Sequence, residues 1–139
     1  MARESTDQIA ARLWLNYGTE YNSRLFQRIV SRFDSLTDVK AAFESGADWV
    51  VALPEHARAR FQEAAQPGFI ERFCEQLVKK NIRFTFPGDE RYPKLLAEIP
   101  DPPSVLYYIG KIEPDPELSI AVVGSRHPSK YGIEVSKRF

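Results

Sequence analysis

The residue types best suited to chemistry cluster near the end of the 139-residue chain, in Ser119-Ile120-Ala121-Val122-Val123-Gly124-Ser125-Arg126-His127-Pro128-Ser129-Lys130-Tyr131-Gly132. Gly124 lets the backbone turn sharply and lets a ligand approach the main chain. Ser125 offers a hydroxyl and an amide. Arg126 offers a planar fork that matches phosphate oxygens in a way lysine does not. Ser129 can cap a helix that starts beside it, and the free N–H groups and dipole of such a helix, together with Lys130, favour an anion. Tyr131 can stack on a base or simply pack. The candidate anion-binding set is therefore Gly124, Ser125, Arg126, Ser129, Lys130 and Tyr131. The same residues also make an ordinary strand-to-helix turn with an exposed arginine, and residue types alone leave both readings open.

Charge sharpens the choice. The chain carries 19 Lys/Arg and 19 Asp/Glu, so no global basic signature marks it for nucleic acid. Residues 81–119 nevertheless hold four cations against seven carboxylates, whereas residues 120–139 hold four (Arg126, Lys130, Lys137, Arg138) against Glu134 alone. Any anion site is thereby placed in the last twenty residues of the chain.

Several other chemistries are excluded. No glycine stands two residues after Gly124, so the dinucleotide fingerprint fails, and no Gly-Lys-Ser/Thr is present for a nucleoside-triphosphate loop. His56 and His127 are far apart in the chain, which supports neither a metal cluster nor a serine–histidine pair. Asp101 and the Glu113/Asp115/Glu117 run read as a turn and a solvated loop rather than acid–base groups. Cys74, the single cysteine, rules out an internal disulfide and lies in a helical apolar pattern as a small core residue. No catalytic residue, metal or cofactor is expected. Met1 to Gln8 lacks the apolar run of a signal peptide, and no stretch is long enough to cross a membrane, so a cytoplasmic protein is expected.

The elements that must position the turn follow from periodicity. Ile120 to Val123 is a short unbroken apolar run, which reads as a strand buried on both faces, as in a parallel sheet. A helix is expected from near Ser129 or Tyr131. Upstream, Ile82 to Phe86 and Val105 to Ile109 read as strands. They are separated by a Pro87-Gly88-Asp89 turn, a short helical stretch opened by Pro93, and an extended segment enforced by Pro100, Pro102 and Pro103. Residues 1–80 read as five or six short helices in one compact unit. The first is capped by Ser5, Thr6 or Asp7, turns Ile9, Leu13 and Tyr17 inward with Ala10 and Trp14 alongside, and is closed by Gly18 in a left-handed conformation. The second begins near Tyr21 with Leu25, Phe26, Ile29, Val30 and Phe33 on one face and Arg24, Arg28 and Arg32 outside. The third runs from about Thr37 to Gly46. Asp48 caps a turn bearing Trp49 and Val50, Pro54 opens another helix to about Gln66, and the last carries Ile70, Phe73, Cys74, Leu77 and Val78 inward. The turn around Gly18 has one glycine and a carboxylate, a poor match to a helix–hairpin–helix phosphate contact. This unit is expected to be structural or partner-binding.

A family resemblance runs through the second half. Phe86-Pro87-Gly88-Asp89, Tyr92-Pro93-Lys94-Leu95-Leu96, Ile99-Pro100-Asp101-Pro102-Pro103-Ser104-Val105-Leu106-Tyr107, Gly110, Ile120 to Arg126 and Tyr131-Gly132 occur in an order and spacing that resembles the DNA-processing protein A family (DprA, also called Smf). The resemblance implies an α plus α/β architecture. A helical, sterile-alpha-motif-like domain over 1–80 would be followed by the start of an extended Rossmann-like domain over 81–139. It implies a non-enzymatic protein that binds single-stranded DNA, protects incoming DNA in natural transformation and recombination, and helps load RecA recombinase, with a homodimer in the full-length protein. The DNA pocket of the family carries over to Gly124, Ser125 and Arg126. The second glycine-rich segment of that pocket does not occur in these residues, so the chain is expected to be an N-terminal piece that binds DNA poorly by itself. Two other readings compete. One is a Rossmann-type nucleotide phosphoribohydrolase, which would need a later Pro-Gly-Gly-x-Gly-Thr loop. The other is a helical adaptor with an incomplete DNA-binding half.

Overall fold

The computed structural model describes residues 4–113 and 123–138. Six helices come first: α1 (Thr6–Gly18), α2 (Ser23–Val30), α3 (Leu36–Glu44), α4 (Asp48–Val51), α5 (Glu55–Ala64) and α6 (Phe69–Lys79). Their starts follow local chemistry. Ser5, Asn22 and Ser35 are the N-caps of α1, α2 and α3, and their side chains accept from the amides of Gln8, Leu25 and Asp38. Gly46 (φ 74°) ends the turn after α3, and Gly68 (φ 72°) stands immediately before α6.

These helices close around an aromatic core. Trp14 and Phe61 are fully buried, with ring centroids 5.0 Å apart, and Phe43 lies 5.2 Å from Trp14 and 5.5 Å from Phe61. Phe26, Ile29, Leu36, Val39, Trp49 and Leu53 complete the cluster. Each large apolar side chain removed from water here contributes about 1.5–3 kcal/mol. The centre of the arrangement is α1, which packs against α2, α3, α5 and α6.

The chain then forms an antiparallel pair, β1 (Ile82–Thr85) with β2 (Leu106–Ile109), in which Phe84 faces Tyr107. Between the strands, Gly88 (φ 98°) makes the turn, and Asp89 accepts from the Arg91 amide at 2.9 Å and from its guanidinium at 3.0 and 3.2 Å. That pairing holds the Asp89 carboxyl below the usual range. A single turn, α7 (Lys94–Ala97), follows Pro93, and the Tyr92 hydroxyl donates to the Pro103 carbonyl at 2.9 Å, tying the proline-rich segment back.

Side chains from distant positions join the helices to this hairpin. Asn16 Nδ2 donates to the Tyr107 hydroxyl at 3.2 Å. The Arg12 guanidinium, paired with Glu4, lies 4.5 Å from the centre of the Phe86 ring. Arg24, expected outside the packed face, is exposed but pairs with Asp101 at 2.6 Å.

Four expectations are corrected. Gly18 does not close α1 in a left-handed turn; it is the last helical residue, and the positive φ values fall at Glu20 (55°) and Tyr21 (62°). The glycine is required by packing instead, since a Cβ there would sit 2.2 Å from the Phe61 ring. The inward face of α1 is wider than the spacing of Ile9, Leu13 and Tyr17 suggested. Ala11 and Leu15 are buried, while Ile9 and Tyr17 are half-buried, because neighbours surround the helix. Val78 is 77% exposed rather than inward, because α6 meets its neighbours through its other face and leaves no residue fully buried. Val123 belongs to no strand and is 90% exposed, where the end of a strand buried on both faces was expected; no described strand lies beside it. Ile120, Ala121 and Val122 lie outside the described residues.

Candidate nucleic-acid interface

The residues singled out by type lie in, and just before, the first turn of the last helix, α8 (Lys130–Arg138). Ser129 caps it: its Oγ accepts from the Gly132 amide at 3.1 Å, and its carbonyl accepts from the Ile133 amide at 3.1 Å. The cap meets one of the helix's initial donors and leaves others facing out, the arrangement that favours an anion. Ser125 is used within the turn. Its Oγ accepts from the His127 amide at 3.2 Å, a local serine turn, so the hydroxyl is partly committed and the backbone is held by it. The pattern of a serine two residues before an N–H donor, with Pro128 following, was the available signal for that bond.

Gly124, Ser125, Arg126, Ser129 and Lys130 are all exposed, and nothing lies within 4 Å of a Cβ built on Gly124. Tyr131 is 75% exposed and its ring has no aromatic neighbour among the described residues, so its face is open. The structure leaves all six predicted residues exposed to solvent. It divides the four cations of the segment, however. Arg126 and Lys130 stand at the N-terminal end of α8, while Lys137 and Arg138 occupy its last turn, about 12 Å further along the axis. At that end they complement the helix dipole. The local positive field at the turn is thus carried by two side chains and the helix N-terminus.

The remaining candidates stay apart. His127 lies in the turn, and His56 stands 3.9 Å from Glu20. Among the described residues no group of three or more His, Cys, Asp or Glu could hold a metal ion. Cys74 is half-buried, and burial raises its thiol above the ordinary range, the opposite of an activated nucleophile. No described helix is long and apolar enough to cross a membrane.

An exposed arginine and a serine-capped helix start stand close together in this segment, a combination suited to phosphate groups. Residues 83–139 match the family model of DNA recombination-mediator protein A. The chain is also 40% identical over 65 residues to Protein Smf of Synechocystis sp., an alignment covering 44% of this chain and 16% of that relative. It thus spans a small part of the relative's length. No solved structure matches it.

Proposed function

We propose that this chain is part of a protein that binds single-stranded DNA and acts in DNA processing during natural transformation and recombination. The observation that carries the reading is the position of the turn: Gly124 to Tyr131 falls inside the segment that matches the recombination-mediator family model, and it presents an arginine, a lysine, an open tyrosine ring and a capped helix start to solvent. Arg126 and Lys130 neutralise backbone phosphates, the free amides of α8 and the Gly124 backbone approach the same phosphate, and Tyr131 stacks on a base.

On this reading the protein performs no covalent chemistry and needs no cofactor. It shields incoming single strands and hands them to RecA recombinase, as a homodimer in the cytoplasm. The helices over 1–80 form a sterile-alpha-motif-like unit, and residues 81–139 begin a Rossmann-like unit. The test is a fluorescence anisotropy titration of the natural gene product with an oligothymidylate across a salt series. Arg126→Ala is expected to weaken binding by ~1–3 kcal/mol and to lower the salt slope. Unchanged affinity and slope would remove the turn from the interface.

A further inference from the structure

A second binding surface lies on the helical side of the molecule, independent of the turn at Gly124. A cavity of about 230 Å³ opens between α2 and the segment that follows α4, lined by Leu25, Ile29, Trp49, Ala52 and Leu53. Arg28 and Arg32 stand at the same cavity. Both are exposed, and neither forms an ion pair among the described residues. From Tyr21 to Phe33 the chain carries Arg24, Arg28 and Arg32 and no carboxylate. Spaced four apart, these arginines follow one side of α2 and its exit.

The first member of the row shows what it selects. Arg24 holds the Asp101 carboxylate, with Nε at 2.8 Å and a terminal nitrogen at 2.6 Å. Arg28 and Arg32 continue the row without a carboxylate, beside an aliphatic floor. The indole N–H of Trp49, at the cavity wall, is also buried without an acceptor among the described residues. A cavity of this size is smaller than the ~300–1,000 Å³ of pockets that enclose a whole ligand, so it fits one anchoring side chain of something larger. Apart from Arg28 and Arg32, the lining residues are aliphatic except for Trp49, which is only 9% exposed. A floor without an open aromatic face is unsuited to stacking bases. It suits a leucine-like side chain, and two free guanidinium forks beside it suit carboxylates.

We infer that the α2 surface, with Arg28 and Arg32 flanking the cavity at Trp49, docks an acidic peptide segment of a partner protein through one apolar side chain set between carboxylates. The probes are a fluorescent peptide with one leucine between glutamates, the same peptide with glutamines in place of glutamates, and an oligothymidylate strand. Binding is read by anisotropy and by the Trp49 indole N–H resonance, assigned from its loss in Trp49→Phe. The acidic peptide is expected to bind and shift that resonance. The neutral peptide is expected to fail, and Arg28→Gln with Arg32→Gln to lose at least about tenfold in affinity while the melting temperature is kept. A Trp49 shift with the nucleotide strand instead of the peptide would overturn the assignment in favour of nucleic acid. No shift with any probe, or equal binding of the acidic and neutral peptides, would overturn it outright. None of these outcomes bears on Arg126, so failure here is distinguishable from failure at the turn.

Discussion

Asn16 on α1 and Tyr107 on β2 are 91 positions apart in the chain and meet in a hydrogen bond of 3.2 Å from the amide nitrogen to the phenol oxygen. Tyr107 also contacts the rings of Tyr21, Phe73 and Phe84 edge-on or tilted at centroid distances of 6.1–6.5 Å. One side chain of the hairpin thus reads the positions of α1, α6 and the turn after α1 together. Burial drives its hydroxyl pKa from 10.0 to about 12, and the Asn16 hydrogen bond opposes part of that rise. The sign for stability follows. A phenol whose pKa is higher in the folded chain favours folding fully below the unfolded value and loses that contribution as pH climbs through the folded value. Stability is expected to fall between about pH 10 and about pH 12 through this group, by at most ~3 kcal/mol. Denaturant titrations of the wild type and Tyr107→Phe check it: their stability difference must change across that window, and a flat difference sinks the assignment. Asn16→Ala should cost ~1–2 kcal/mol at neutral pH and raise the Tyr107 pKa further.

Gly18→Ala sets two effects against each other. Helix propensity alone would make the alanine more stable by about 1 kcal/mol. The new Cβ would stand 2.2 Å from the Phe61 ring, a side chain that is itself 0% exposed and has no room to withdraw. Sterics should win, with a loss of ~1–3 kcal/mol or more. In Phe61→Leu the same substitution should cost markedly less, so a double-mutant cycle by chemical denaturation detects the contact as a coupling. A neutral Gly18→Ala would show that packing at this point is loose.

Such pairs mark the limit of what the chain reveals on its own. The start of α1 was legible because its cause is local, the Ser5 cap closing within three residues; Asn22 and Ser35 cap α2 and α3 in the same way but are not singled out from the sequence. The α2 face of Phe26 and Ile29 was legible because period and burial coincide there. Gly18 reads from the sequence as a left-handed helix end; its actual requirement is the Phe61 ring on α5, 2.2 Å from a Cβ there, and only the assembled fold supplies that. Val78 fits an inward helical spacing and is exposed, because α6 contacts only part of the structure its apolar stripe could cover. In the candidate interface, the types of Gly124, Arg126 and Ser129 were readable, since a turn and a cap are local devices. The separation of Arg126 and Lys130 from Lys137 and Arg138 was not read from charge counting, although the length of α8 contains it.

The turn before α7 makes a separable prediction. Arg91 hydrogen bonds are the main cause that keeps the Asp89 carboxyl below 3.8, and the side chain of Asp89 is only 18% exposed while that of Arg91 is 60% exposed. A lowered carboxylate pKa stabilises the fold above the unfolded value and loses its effect as pH falls through the folded value. Because Arg91 is open to solvent, the energetic effect is modest. The direct measurement is an NMR titration of Asp89. Arg91→Ala should move its pKa upward, and an unmoved value would show that the carboxylate is held by the backbone instead.

Ser129 allows the helix cap to be separated from the anion site. Its Oγ accepts the Gly132 amide, so Ser129→Ala should loosen the first turn of α8 by ~1 kcal/mol. Ser129→Asp should preserve the cap, because aspartate is an equally good N-cap, and it adds a negative charge that suits the helix dipole. The same charge would stand where a phosphate is proposed to sit, between Arg126 and the first amides of α8. Helicity and strand binding should therefore separate in the natural gene product. Alanine lowers both somewhat, whereas aspartate keeps amide protection in α8 and weakens oligothymidylate binding more than alanine does. Hydrogen exchange of the α8 amides and anisotropy at two salt concentrations measure the two quantities independently. If aspartate binds the strand as well as serine does, no phosphate approaches this helix end, and the positive side chains at the turn serve only to keep it in solvent.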